Sequence, residues 1–198
     1  MVKRLSAEGI EIKQLDLGGG LGIAYQDETP PSAHDYVQSM INGIKTHGID
    51  LPIAIEPGRY IAGNSGVMLT QIEFLKHNAS KNFAIVDAGM NDLLRPSLYQ
   101  AFHEIKPLNQ TSNAVPLVFD VVGPVCESAD VLGYDRELCV ETGDLLAVCS
   151  AGAYGFVMAN NYNTRCKPAE ILVDDSQIHV IRDRETFDQL LAGERLVP

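Results

Sequence analysis

The sequence predicts an α/β segment followed by an all-β domain, and three observations carry that reading. Over residues 1–66, strand-like and helix-like stretches alternate, as in parallel βα units. From Val67 onward, short β-like segments follow one another with turn residues between nearly all of them, a density that suits a β-sandwich or a Greek-key barrel. Two βα units can neither close a parallel barrel nor cover both faces of a parallel sheet, so the first part reads as the end of something larger. The expected division is therefore 1–66 and 67–198, and Met1, which opens on helix-like sequence with no capping signal, suggests a truncated chain.

Taken in order, residues 3–8 read as the end of a helix stopped at Gly9, and 12–17 as a strand that runs into Gly18-Gly-Gly-Leu-Gly22. Ser32, with Asp35 three residues later, resembles a capping box. Beyond it Val37, Met40, Ile41 and Ile44 fall at the i, i+3, i+4, i+7 spacing of one buried helical face, and Gly48 is a suitable stop. Residues 52–55 form the next strand, which ends in Glu56-Pro-Gly-Arg-Tyr60. Further strands are expected at 67–76, 83–87, 103–107, 117–123, 144–150, 169–173 and 178–182. A closing helix at 184–192 would carry Phe187, Leu190 and Leu191 on one face.

Composition narrows the functional classes. The 198 residues are 45% hydrophobic and 21% charged, ordinary values for a soluble globular protein. A formal net charge of -11 without a basic stripe argues against nucleic-acid backbones and anionic membrane surfaces. No leader-like segment opens the chain and every apolar run falls short of the ~18 to 20 residues of a membrane span, so the chain reads as cytoplasmic. Cys126, Cys139, Cys149 and Cys166 lack C-x-x-C spacing and a nearby histidine pair; neither a metal site nor structural disulfides are expected.

The two strand ends at 18 and 56 deliver glycine-rich backbone of the kind that approaches a phosphate closely. The first lacks the G-x-G-x-x-G spacing and a suitably placed acid, which disfavours a dinucleotide fold; a phosphate cradle and a simple tight turn stay open. Glu56 and Arg59, at the end of a strand as apolar as Ile53-Ala-Ile55, need either each other or a ligand. Asp87-Ala-Gly-Met-Asn-Asp-Leu-Leu-Arg-Pro-Ser-Leu-Tyr99 is a polar insert after a buried strand, in which Arg95 and Tyr99 are functional or structural. Gly123-Pro-Val-Cys-Glu-Ser-Ala-Asp130 sets the thiol of Cys126 beside the carboxylate of Glu127, a pair suited to proton transfer. Tyr154 sits among small residues, as a ligand contact or within a glycine hinge. The five histidines are scattered and none is assigned to chemistry.

In this order, GGGLG, EPGRY, DAGMNDLLRPSLY, GPVCES and AGAYGF resemble the diaminopimelate decarboxylases, pyridoxal-phosphate enzymes similar to eukaryotic ornithine and bacterial arginine decarboxylases. The resemblance covers essentially the whole chain; EPGR and the GGG loop belong to the wider group, MNDLLRPSLY and GPVCES to the diaminopimelate branch. It implies the last strands of a parallel (β/α)8 barrel followed by the β-domain, and conversion of meso-2,6-diaminopimelate to L-lysine and carbon dioxide, the last step of lysine biosynthesis. Pyridoxal 5'-phosphate would be the cofactor, with Glu56 facing its ring nitrogen. Gly18, Gly19, Gly20 and the backbone of Gly58 and Arg59, with Tyr154, would hold its phosphate. Arg59, Arg95 and Tyr99 would bind a substrate carboxylate, Glu127 a substrate ammonium, and Cys126 would deliver a proton.

The resemblance also implies a homodimer in which Cys126 and Glu127 reach the neighbouring subunit's site. The family's cofactor lysine lies in a Tyr-Ala-x-Lys-Ala context absent from this sequence, so the chain alone is expected to be inactive. Two alternatives stay open. A related decarboxylase acting on ornithine, arginine or lysine would not need Arg95, and a non-catalytic binding module would form no adduct with the cofactor.

Overall fold

A computed structural model of the chain describes residues 1–109 and 115–197, which divide into the units Met1–Gly63 and Asn64–Pro198. In the first unit, helix α1 (Val2–Ala7) stops just before Gly9, which adopts φ +81°, a conformation open to glycine at no steric cost. Strand β1 (Leu15–Asp16) lies parallel to β2 (Ile53–Ala54). The pairing runs on through hydrogen bonds from Leu17 N–H to the Ala54 carbonyl at 3.0 Å and from Glu56 N–H to the Gly18 carbonyl at 2.9 Å. The strands expected at 12–17 and 52–55 are two residues long each and form a two-stranded sheet.

Between them α2 (Ala33–Thr46) begins at Ser32, whose Oγ accepts the Asp35 N–H at 3.1 Å and donates to Asp35 Oδ2 at 2.7 Å. The first bond satisfies an amide that a helix start would leave without a partner, and the second orients the capping hydroxyl. Val37, Met40, Ile41 and Ile44 are all half-buried along the predicted face, and Gly48 at φ +65° follows the His47 cap. A short α3 (Gly58–Ala62) completes the unit.

The second unit contains β3 (Met68–His77), β4 (Asn82–Val86), α4 (Arg95–Tyr99), β5 (Ile105–Pro107), β6 (Leu117–Val122), β7 (Val131–Leu138) and β8 (Leu145–Val148). The six strands form one sheet in the order β5-β8-β3-β4-β6-β7. Long β3 serves both halves: residues 68–71 pair with β8 and 72–77 with β4, and the register shifts between Ile72 and Phe74. Such a shift bends a strand and lets the sheet curl. The edge strands β5 and β7 then meet, since Ile105 Cδ1 lies 2.9 Å from where a side chain on Gly133 would begin, and Arg136 Nη2 donates to the His103 carbonyl at 3.3 Å. Of the sandwich and the barrel that the sequence left open, this single, nearly closed sheet is barrel-like. Its core is built from Ile72, Val86, Leu93, Phe119, Val121, Leu132, Leu146 and Val148.

The sequence reading had no counterpart for β7. Gly133, Asp135 at φ +52° and Arg136 interrupt any alternating pattern, yet the strand forms because Phe119, Val121 and Val122 of β6 offer it a partner. Gly133 makes room there for the Arg136 side chain, which lies across the Phe102 ring with the guanidinium carbon 4.0 Å from the ring centre. The unit ends in a hairpin of β9 (Glu170–Asp174) and β10 (Gln177–Arg182), then α5 (Phe187–Leu190). α5 is shorter than expected: its capping box, Thr186 with Gln189, sets the first helical residue at Phe187, three beyond 184, and the helix ends at Leu190. Phe187 and Leu191 of its predicted face are exposed. Among the described residues no helix is long and apolar enough to cross a membrane.

Candidate functional site

In the first unit the two glycine-bearing strand ends come together, as they must when parallel neighbours end side by side. Gly18 and Gly20 adopt φ +73° and +100°, so the loop needs residues without Cβ at both positions. A Cβ on Gly19 would fall 2.7 Å from the Glu56 carbonyl oxygen, which is backbone and cannot swing away. The loop is pinned on either side: Asp16 Oδ1 accepts the Gly18 N–H at 2.8 Å, and Tyr36 donates its hydroxyl to the Gly19 carbonyl at 2.6 Å. The Gly58 N–H turns back onto the Glu56 carbonyl at 2.8 Å, so that amide is engaged within its own turn. The Glu56 side chain is exposed, and the Arg59 guanidinium lies 5.9 Å over the Tyr25 ring.

In the second unit the arrangement follows from β4 and β6 running parallel as neighbours. Their C-terminal ends are adjacent, so the loop after β4, which carries Asn91, Asp92 and Arg95, meets the loop after β6, which carries Cys126 and Glu127. Asp130 joins them: Oδ1 accepts the Met90 N–H at 2.6 Å and Oδ2 the Val125 N–H at 2.7 Å. A side chain at Gly123 would run into that carboxylate, and one at Gly89 would crowd it at 3.2 Å. Ser97 adds a bond from its Oγ to the Ala129 carbonyl at 2.6 Å. The chain beyond β8 joins the cluster as Arg165 donates from Nε to Asn91 Oδ1 at 2.8 Å and from Nη2 to the Asp87 carbonyl at 2.6 Å.

Within this cluster Cys126 and Glu127 are exposed, and Glu127 Oε2 accepts a long bond from the Tyr162 hydroxyl at 3.4 Å. Tyr99 is exposed at the end of α4, while Arg95 at its start is buried, with Nη1 2.8 Å from His103 Nε2. Tyr154 adopts φ +61°, and a side chain at Gly155 would overlap the Ala151 carbonyl, so this turn is held in a conformation that ordinary residues avoid. Burial pushes the Asp130 carboxyl above the usual aspartate range, against the pull of the Val125 and Met90 amides. Asp92 is raised by burial too, with the Gly89 amide and the Arg165 charge opposing.

Sequence reasoning missed Asp130, Asn91, His103 and Arg165. Asp130 and Asn91 had a signal, since each lies in a segment already singled out; His103 and Arg165 act through contacts between segments distant in the sequence. Among the described residues no group of three or more potential metal ligands is gathered.

The family described as pyridoxal-dependent decarboxylase, C-terminal sheet domain, matches residues 26–152. The chain belongs to this family. It is 54% identical over its whole length to a diaminopimelate decarboxylase of Pseudomonas aeruginosa, of which it covers 47%, and 50% identical to that of Vibrio cholerae, again covering 47%. Among solved structures, diaminopimelate decarboxylase from M. jannaschi is matched at a TM-score of 0.90 and 40% identity, over 98% of this chain and 46% of that one. The Helicobacter pylori enzyme complexed with L-lysine is matched at 0.87 and 44%, over 96% and 47%. The chain thus spans about half the length of the curated relatives it matches. A viral arginine decarboxylase at 20% identity and a TM-score of 0.70 shares the fold.

Proposed function

We propose that this chain is the C-terminal part of a cytoplasmic carboxy-lyase that converts meso-2,6-diaminopimelate to L-lysine and carbon dioxide, its first unit being the last strands of a (β/α)8 barrel. The observation that carries this reading is the likeness to diaminopimelate decarboxylases along the entire chain, both candidate loop clusters included. Pyridoxal phosphate, when bound, supplies a sink for the electron pair left as carbon dioxide departs.

The bare backbone at Gly18, Gly19 and Gly20 fits a phosphate, because the cradle is one that a Cβ would fill. The turn at Gly58 and Arg59, with the Tyr154 hydroxyl, would complete the phosphate contacts. Glu56 would keep the cofactor's ring nitrogen protonated, since an opposite charge alongside favours the protonated form. Arg59, Arg95 and Tyr99 bind substrate carboxylate, the guanidiniums offering paired N–H donors to its two oxygens. Glu127 takes the substrate ammonium and Cys126 hands a proton to the reacting carbon. In a homodimer these last two would serve the site of the second copy, for which their exposure leaves them accessible.

Arg95→Ala in the full-length protein tests the substrate. It would leave the distal carboxylate desolvated and without its partner, a loss of roughly 2 to 5 kcal/mol, so KM for diaminopimelate should rise steeply while cofactor retention stays unchanged. Activity lost only together with the cofactor, or not lost at all, would remove Arg95 from substrate binding and favour the ornithine, arginine or lysine reading. The present chain, without the family's cofactor lysine, should release no carbon dioxide from diaminopimelate by itself.

A further inference from the structure

Resting on the reading that Arg95 receives a substrate carboxylate, we propose that His103 is the positioning residue that aims the Arg95 guanidinium at it. His103 is fully buried, and both ring nitrogens are engaged. Nδ1 lies 2.9 Å from the Cys149 carbonyl oxygen, which can only accept, so the ring proton is on Nδ1. Nε2 therefore presents a lone pair, and it faces Arg95 Nη1 at 2.8 Å, which can only donate. The imidazole is a neutral link that is fixed on one side by backbone and grips the guanidinium on the other.

The chain path supports the link. Gln100, at φ +53°, ends α4 in a left-handed turn, and the segment doubles back so that His103 returns to Arg95, eight residues earlier. The choice of a neutral acceptor matters. A carboxylate at this place would orient the guanidinium equally well but would neutralise the charge meant for the substrate, whereas an imidazole orients it and leaves the charge in place. The surroundings keep the ring neutral: burial, with the Arg95 guanidinium from α4 and that of Arg136 from β7, holds His103 below the ordinary histidine range, and the bond to the Cys149 carbonyl after β8 acts the other way. Arg95 is itself only 6% exposed, so its fork depends on its neighbours for direction.

The test uses the full-length protein with His103→Phe, His103→Gln and Arg95→Ala, measuring kcat and KM for diaminopimelate, thermal melting, and the 15N shifts of the wild-type imidazole across pH. His103→Phe, which keeps the ring and removes both nitrogens, should raise KM about ten- to a hundredfold, the range expected for one hydrogen bond to a charged group, and change kcat less. His103→Gln, whose amide oxygen can accept from Arg95, should bring KM back to within severalfold of wild type. A Phe variant with unchanged melting and wild-type KM, a Gln variant no better than Phe, or a ring proton found on Nε2 would each overturn the proposal. If His103→Phe does not fold, the Gln variant and the wild-type shifts still decide. Failure of the underlying reading shows elsewhere: a wild type that does not turn over diaminopimelate, or Arg95→Ala with unchanged KM, removes the substrate role of Arg95 and its positioning with it, leaving the imidazole shifts as they are.

Discussion

In Met1–Gly63 the candidate site residues are held by loops, and in Asn64–Pro198 by loops set on a sheet. The first unit fully buries only Leu21 and Ile23 among its described hydrophobic side chains, its strands are two residues long, and its geometry rests on Gly18, Gly19 and Gly20 with single bonds from Asp16 and Tyr36. The second buries a core that runs from Ile72 to Ala159, and its loops emerge from the adjacent ends of two parallel strands and are tied by Asp130. A backbone cradle needs conformations and therefore glycines. A side-chain site needs aimed groups and therefore a rigid support beneath them.

The contrast is broken most severely in the core. Phe119→Ala should cost about 3 to 5 kcal/mol in a denaturant titration, because it empties the centre of the sheet. Ile41→Ala, on the half-buried face of α2, should cost less than half of that. Equal losses would mean that the two units are supported alike. Next in size, Glu56→Gln in the full-length protein should lower kcat on the order of 10²-fold with KM little changed, as for removal of one preorganised charge; an unchanged kcat would leave Glu56 with a role in the turn alone.

Ser32→Ala should destabilise by about 1 kcal/mol through loss of the α2 cap, read as a shift of the unfolding midpoint. No shift would show that the start of α2 is set by its surroundings. The smallest effect expected is a pH slope, since opposing causes act on Asp130. A carboxyl raised in the folded state binds its proton more tightly there than in the unfolded chain. Its contribution to stability is therefore full at low pH and is lost as pH rises from the ordinary value of about 3.9 through the raised one. Wild type should lose stability relative to Asp130→Asn across that window, and the opposite slope would mean that the Met90 and Val125 amides outweigh burial.

Local signals were legible and non-local ones were not. Ser32 with Asp35, the face Val37, Met40, Ile41 and Ile44, and the stops at Gly9 and Gly48 all depend on neighbours within one or two turns, so their pattern could be read directly. β7 escaped because its reason to be a strand lies in β6 and in the Arg136 contact with Phe102, and its own residues advertise a turn. Arg95 and Tyr99 were singled out by their loop, but that one is buried against His103 and the other exposed depends on how α4 ends.

By itself, then, the sequence determined the helix signals of the first unit, the glycine-rich loop and the motifs that carry the family resemblance, because each is written in residues close together along the chain. Only the tertiary structure decided that the β-segments form one curled sheet in the order β5-β8-β3-β4-β6-β7, and that Asp130 fastens one loop to another forty residues earlier. It alone decided that a histidine with no motif holds an arginine in place. These depend on which strands become neighbours and in which direction they run, and that choice is made by burial of the whole core at once.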